Sequence, residues 1–291
     1  MSVLLFPGQG SQTVGMGKEL FDQNDEAKLL FHKADEILGF KLSQVMFNGS
    51  AEDLKQTSVT QPAVFLNSYI HFKLNESKLN TEAVAGHSLG EITALVANSS
   101  LSFEDGLRLV SLRAQAMQKA CDNTEGTMAA ILGLEDSQVE DICNDLKEVV
   151  VAANYNCPGQ LVVSGSLDGI DKAVEKAKEA GARRALVLPV NGAFHSPLME
   201  PARADLEVAI SNTKFATPQV PVYQNVNGIA ETDPETIKAN LIAQLTSSVR
   251  WTQTMQNMVT DGYKEYVEFG AKVLSGFLRR VDRSLDVSQL I

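Results

Sequence analysis

Three cysteines, four histidines and one tryptophan in 291 residues exclude several common chemistries at the outset. Cys121, Cys143 and Cys157 are odd in number and lack C-x-x-C spacing, which argues against a disulfide framework or a zinc site and for buried, inert thiols. Positive charge is also scarce. Twenty-five Lys and Arg stand against 36 Asp and Glu, a formal net charge of −11. Such a chain lacks the basic surface that displaces counterions from nucleic acid. A local basic patch can still dock an acidic partner, because screening limits distant charges to about 8 Å at physiological salt. No apolar run is long enough to cross a bilayer. The apolar Met1–Phe6 stretch is short and has neither the basic region nor the cleavage site of a secretory signal. The expectation is therefore a cytoplasmic protein with no nucleic-acid or membrane partner.

What is present is ordinary globular material, 44% hydrophobic and 21% charged. The length suits one large domain with an insert, or two domains. Ser2–Phe6 reads as a buried strand ending at Pro7, Gly8 and Gly10. Asp25–Leu38 carries apolar residues at helical spacing. Pro62 is expected in the first turn of a helix through Phe65, Leu66 and Ile70. Ala83–Ala85 ends a second strand, and Ser102 with Asp105 opens a capped helix through Met117. From Thr127 the pattern changes to β-α-β-β-α-β, closing with Arg184–Pro189, which is the ferredoxin-like arrangement. Residues 122–191 are thus expected to form an inserted subdomain. Residues 1–121 and 192–291 would form an α/β subdomain with a mainly parallel sheet. Tyr266–Phe269 is read as the last strand, before a helix carrying Val273 and Phe277.

The strongest chemical signal is Gly86-His87-Ser88-Leu89-Gly90, a G-x-S-x-G between an expected strand and an expected helix. That context is what a nucleophile elbow requires. The serine stands on a strained turn, and the N–H of Leu89 at the helix start can bond a developing oxyanion. A serine nucleophile needs a base. Of the four histidines, His32 and His71 fall in expected amphipathic helices and His87 lies inside the elbow, which leaves His195 in the loop after the insert. The Pro7-Gly8-Gln9-Gly10 turn has no Walker lysine. It can cradle a phosphate, supply oxyanion donors or be a plain turn, and the residues alone do not separate these uses.

PGQGSQ, GHSLGE, LRAQAMQ, NYNCPGQLVVSG, GAFHSPLM and VRWT, in this order, make the chain resemble the malonyl-CoA:acyl carrier protein transacylases and the acyltransferase domains of polyketide synthases. The resemblance covers almost the whole chain. It implies an α/β-hydrolase-like large subdomain with a ferredoxin-like insert, and transfer of malonyl from malonyl-CoA to the phosphopantetheine thiol of holo acyl carrier protein in fatty-acid synthesis. It also implies roles. Ser88 is the nucleophile, His195 the base, and Gln9 and Leu89 the oxyanion hole. Arg113 holds the malonyl carboxylate, as a guanidinium fork suits. Phe194 crowds a methylmalonyl methyl, and Gln61 and Asn156 lie near the site. The backbone carbonyl that orients the histidine falls at Arg250. No metal or bound cofactor is implied, and a monomer is expected. Arg183, Arg184, Lys272, Arg279 and Arg280 are candidates for docking an acidic carrier. From Ser88 and His195 alone, a thioesterase or esterase fits equally well, and a silent carrier-binding subunit is a third reading.

Overall fold

Every residue of Ser2–Phe6 is buried, and a strand so placed needs cover on both faces, which a parallel sheet flanked by helices supplies. The computed structural model describes residues 2–291. It runs from β1 (Ser2–Phe6) through α1 (Lys18–Gln23), α2 (Asp25–Leu38), α3 (Leu42–Asn48), α4 (Ala51–Lys55) and α5 (Thr57–Lys73). Then come β2 (Thr81–Gly86), α6 (Gly90–Ala97) and α7 (Phe103–Asn123). The middle holds β3 (Thr127–Leu132), α8 (Asp136–Asn144), β4 (Val150–Cys157), β5 (Gln160–Gly165), α9 (Leu167–Glu179) and β6 (Arg184–Val187). The last part is α10 (Glu200–Ser211), β7 (Val222–Tyr223), β8 (Ala230–Glu231), α11 (Pro234–Ala243), α12 (Trp251–Thr260), β9 (Glu265–Phe269), α13 (Leu274–Val281) and β10 (Asp286–Leu290).

Six strands form one sheet in the order β10-β9-β1-β2-β7-β8, parallel except for β8. Side chains alternate across it, as the two-residue period of a strand demands. Leu4, Phe6 and Val84 pack into the larger core with Phe31, Phe65 and Leu107, while Val3, Leu5 and Ala85 pack with Trp251, Met255 and Leu278. A second sheet, β4-β5-β3-β6, is antiparallel throughout and has its own core of Ala129, Ile131, Val139, Ile170 and Val174. This is the α/β architecture that the sequence pattern and the resemblance point to.

The small sheet is tied at β4 to the segment that precedes α12, through an isolated parallel bridge. Tyr155 N–H donates to Val249 O at 2.9 Å, and Val249 N–H to Ala153 O at 2.8 Å. The register of β4 slips between Ala152 and Asn154 and again between Tyr155 and Cys157. Such irregularities re-aim side chains, and here Asn156 is turned onto the elbow residue His87.

Several readings need correction. Pro62 sits in the second turn of α5, not the first. The helix starts five residues earlier, where Thr57–Thr60 gave no apolar spacing to see. That helix is also not amphipathic: 13 of its 17 residues are buried, His71 among them, so it packs on all sides. A further strand, β10, follows α13. It is an edge strand with Val287 buried between exposed neighbours, so its sequence carries little apolar signal. The α7 helix runs past Met117 to Asn123.

Candidate active site

Ser88 sits between the end of β2 and the start of α6 with φ of 53°, a left-handed conformation that is uncommon for a side-chain-bearing residue. The glycines around it are sterically required. A Cβ on Gly86 would stand 1.9 Å from Gly90 O, and one on Gly90 would stand 2.2 Å from Phe6 O. Gly8 approaches the same turn, its Cβ position 2.5 Å from His87 O, so the Pro7–Gly10 turn lies directly against the elbow.

His195 Nε2 lies 2.8 Å from Ser88 Oγ. Its other nitrogen, Nδ1, lies 2.9 Å from Gln244 O. A carbonyl only accepts, so Nδ1 carries the proton and Nε2 presents a lone pair to the serine hydroxyl. The serine oxygen in turn accepts a hydrogen bond from Arg113 Nη2 at 3.0 Å. The orienting carbonyl therefore belongs to Gln244, not to Arg250 as the resemblance implied. The reason is helix geometry. Arg250 is the N-cap of α12, and its carbonyl accepts from Thr254 N–H at 2.9 Å. Gln244 is the C-cap of α11, where carbonyls lack helical partners and are free for another donor.

Arg113 is 1% exposed on α7. Its Nη1 donates to Gln61 Oε1 at 2.7 Å, and Nη2 also donates to Gln244 Oε1 at 3.2 Å. Its buried Nε–H has no partner. Gln61 is fixed from its other end by Met117 Sδ at 3.2 Å. Burial lowers the Arg113 pKa to about 10, and the Glu91 charge partly opposes this.

A second tier of polar residues holds the turn. Ser88 N–H donates to Asn225 Oδ1 at 2.6 Å, and Asn225 Nδ2 donates to Gly86 O at 2.7 Å. Gln244 Nε2 donates to Ser88 O at 3.2 Å. Gly90 N–H is taken by His87 O at 2.9 Å, while no described residue accepts the N–H of Leu89. Gln244 and Asn225 were not found from sequence. Both act across more than 130 positions of chain, and no local pattern marks them.

The remaining expected residues divide. Ser88, Arg113, Phe194, His195 and Gln9 line one cleft of about 780 Å³, with Met117 and Met128 on its wall. Asn156 does not reach Ser88; its Oδ1 lies 2.9 Å from His87 Nε2 and steadies the elbow from the side. Arg183, Arg184, Lys272, Arg279 and Arg280 are all exposed. Arg183 and Arg280 flank the same end of the small sheet. Arg183 lies against Gly133, whose N–H bonds Gly159 O, and Arg280 Nη2 donates to Pro158 O at 2.9 Å. Among the described residues, no group of three or more His, Cys, Asp and Glu side chains could hold a metal ion, and no helix is long and apolar enough to cross a membrane.

Burial leaves a proton signature. It lowers His71 and His87 from 6.5 to about 4, and lowers His195 to about 3 with help from the Arg113 charge. It raises Glu91 from 4.5 to about 7. Between pH 6.5 and 4.5 the unfolded chain binds three histidine protons that the folded chain refuses. The folded chain binds one on Glu91 that the unfolded chain releases. Stability therefore rises with pH across this window, by roughly 3 kcal/mol per pH unit where steepest. Urea unfolding midpoints should drop markedly from pH 7 to pH 5; a pH-independent midpoint would contradict the buried neutral histidines.

With this geometry established, its relatives fall into line. A family model described as acyl transferase domain matches residues 3–277. The chain is 44% identical over 286 residues to the malonyl CoA-acyl carrier protein transacylase of Bacillus subtilis (strain 168), covering 97% of this chain and 90% of that one. The crystal structure of an acyl-carrier-protein S-malonyltransferase from Bartonella henselae superposes with a TM-score of 0.96 at 39% identity, covering 100% of this chain and 95% of that one. A malonyl-transacylase solved in complex with a type II polyketide acyl-carrier protein superposes at 0.94 with 34% identity, covering 99% and 95%. The chain belongs to the acyl transferase domain family and, within it, to the malonyl CoA-acyl carrier protein transacylases.

Proposed function

We propose that the protein transfers malonyl from malonyl-CoA to the phosphopantetheine thiol of an acyl carrier protein, through an ester on Ser88. One observation carries this reading beyond a generic serine hydrolase. A fully buried guanidinium lies 3.0 Å from the nucleophilic oxygen with its Nε–H unpaired. The malonyl carboxylate is two carbons beyond the carbonyl under attack, so a fork at that distance from Oγ is placed to receive it.

In the first half-reaction Ser88 Oγ attacks the thioester carbonyl and its proton passes to His195 Nε2. Gln9 and the Leu89 N–H receive the oxyanion; losing one such donor typically costs about 3 kcal/mol of barrier. The carbon–sulfur bond breaks, His195 returns the proton to the departing coenzyme A thiolate, and malonyl-Ser88 remains. The carrier thiol then gives its proton to His195 and attacks the ester; the carbon–oxygen bond to Ser88 breaks, His195 returns the proton to Ser88 Oγ, and malonyl leaves on the carrier sulfur. Phe194 and Met117 line the same cleft, and on this reading Phe194 crowds a branch on the acyl carbon. The chemistry proceeds with these side chains, and the reading places the reaction in the cytoplasm.

The test is intact-protein mass spectrometry after mixing with malonyl-CoA. A malonyl adduct discharged by holo carrier protein far faster than by water supports transfer. An adduct lost to water at the same rate makes the protein a thioesterase. For docking, reversing Arg183, Arg184, Lys272, Arg279 and Arg280 to glutamate should raise the KM for carrier protein by roughly ten-fold at low salt, and less as salt is added. An unchanged KM would remove these residues from the interface.

A further inference from the structure

Glu91 has no part in the chemistry above, yet its carboxylate is fully buried one turn from the nucleophile. A buried carboxylate is costly unless its oxygens are satisfied. Here Oε2 accepts the Asn225 N–H at 2.7 Å and Oε1 accepts Gln224 Nε2 at 3.1 Å. The same Asn225 holds Ser88 N–H and Gly86 O with its side chain. Gln244 closes the ring. Its side chain touches Asn225 Oδ1 at 3.4 Å, Ser88 O and Arg113, and its carbonyl fixes His195. The carboxylate is thus the anionic anchor of a network that reaches nucleophile, base and carboxylate-binding arginine.

We propose that Glu91 is a positioning residue for the transfer: ionised, it clamps the Gln224–Asn225 segment and through it sets the Ser88 turn and the Arg113 guanidinium in attack geometry. Both of its oxygens act as acceptors, and both donors are fixed, one of them a backbone N–H. A proton on either oxygen puts a donor against a donor or gives up an acceptor. Arg113 on α7 is the charge that acts on Glu91, and the facing Gln224, Asn225 and Gln244 are neutral amides. Among the elements packed against α6, β1 has no ionisable side chain, β2 carries Glu82, and α5 carries Tyr69, His71 and Lys73. Burial raises the Glu91 carboxyl to about 7, whereas burial and the Arg113 charge push His195 down to about 3. The acid limb near neutrality therefore belongs to Glu91 and not to the base: loading falls as pH drops through 7.

This inference rests on the malonyl-Ser88 reading, and its experiment separates the two. Single-turnover loading from malonyl-CoA is followed from pH 5.5 to 8.5 in wild type, Glu91→Gln and Glu91→Asp. This half-reaction uses no carrier thiol, so thiol ionisation does not enter. Wild type that never loads defeats the reading itself. If wild type loads, Glu91→Gln is expected to load at least about ten-fold more slowly at pH 8. Its KM for malonyl-CoA should stay within about two-fold and its profile should be flat through pH 7. Glu91→Asp should regain part of the rate and the acid limb. Glu91→Gln with wild-type rate, or slowed with the acid limb unmoved, overturns the proposal. Should Glu91→Gln fail to fold, a wild-type profile flat between pH 6 and 8 overturns it alone.

Discussion

Ser88→Ala will take up no malonyl group from malonyl-CoA while remaining folded and still binding the thioester. In a comparable serine–histidine pair, loss of the nucleophile costs on the order of 10⁶-fold in turnover, and nothing near Ser88 can replace it. Cys121, Cys143 and Cys157 are outside the cleft lining, and burial raises all three thiols above their ordinary range. The fold should survive because the hydroxyl supports little around it. Arg113 Nη2 keeps Gln244 Oε1, His195 keeps its bond to the Gln244 carbonyl, and the backbone of residue 88 keeps Asn225 and Gln244. The removed atom leaves no buried charge unpaired, so the thermal midpoint should move by less than about 3 °C. Mass spectrometry checks the adduct and calorimetry the fold. A Ser88→Ala protein that still acquires malonyl places the nucleophile elsewhere.

The parts of this molecule readable in its sequence are those set by local physics. Ser2–Phe6 is an unbroken apolar run because it is covered on both faces. The elbow is visible because Gly86 and Gly90 have no room for a Cβ, so the pattern is written in residue size. The start of α7 is visible because its cap is local: Asp105 N–H donates to Ser102 Oγ at 3.0 Å. What escaped was long-range or edge structure. Gln244 and Asn225 are ordinary polar residues until the chain brings them to Ser88. The carbonyl that holds His195 was assigned six residues too far along. A motif match gives a neighbourhood, whereas a free carbonyl is decided by which residue ends a helix and which begins one. Arg113 shows the same limit from the other side: its helix has an apolar face, but only the tertiary fold buries the guanidinium.

Arg113→Ala will cost malonyl loading far more than acetyl loading, and this selectivity is the sharper test of what the site is for. In the intact protein the guanidinium is held by Gln61, Gln244 and Ser88, all neutral oxygens, and burial lowers its pKa to about 10, so it stays charged at neutral pH without an anionic partner at hydrogen-bond distance. A malonyl carboxylate supplies the anion such a group lacks, whereas an acetyl methyl leaves it desolvated and unpaired. Truncating one partner of a buried, hydrogen-bonded charge pair costs about 2–5 kcal/mol, so kcat/KM for malonyl-CoA should fall by roughly two orders of magnitude or more. The value for acetyl-CoA should hold or rise. The base adds to the contrast. The Arg113 charge helps hold His195 in its depressed range, so a seated carboxylate that neutralises the arginine also makes the histidine a better proton acceptor. On the proposed reading, malonyl would gain twice from the same ion pair, in binding and in activation of Ser88, and acetyl would gain neither. Arg113→Lys keeps the charge without the fork and should fall between the two. If Arg113→Ala retains the wild-type ratio of malonyl to acetyl loading, the carboxylate is held by another group, and the arginine serves only to orient Ser88.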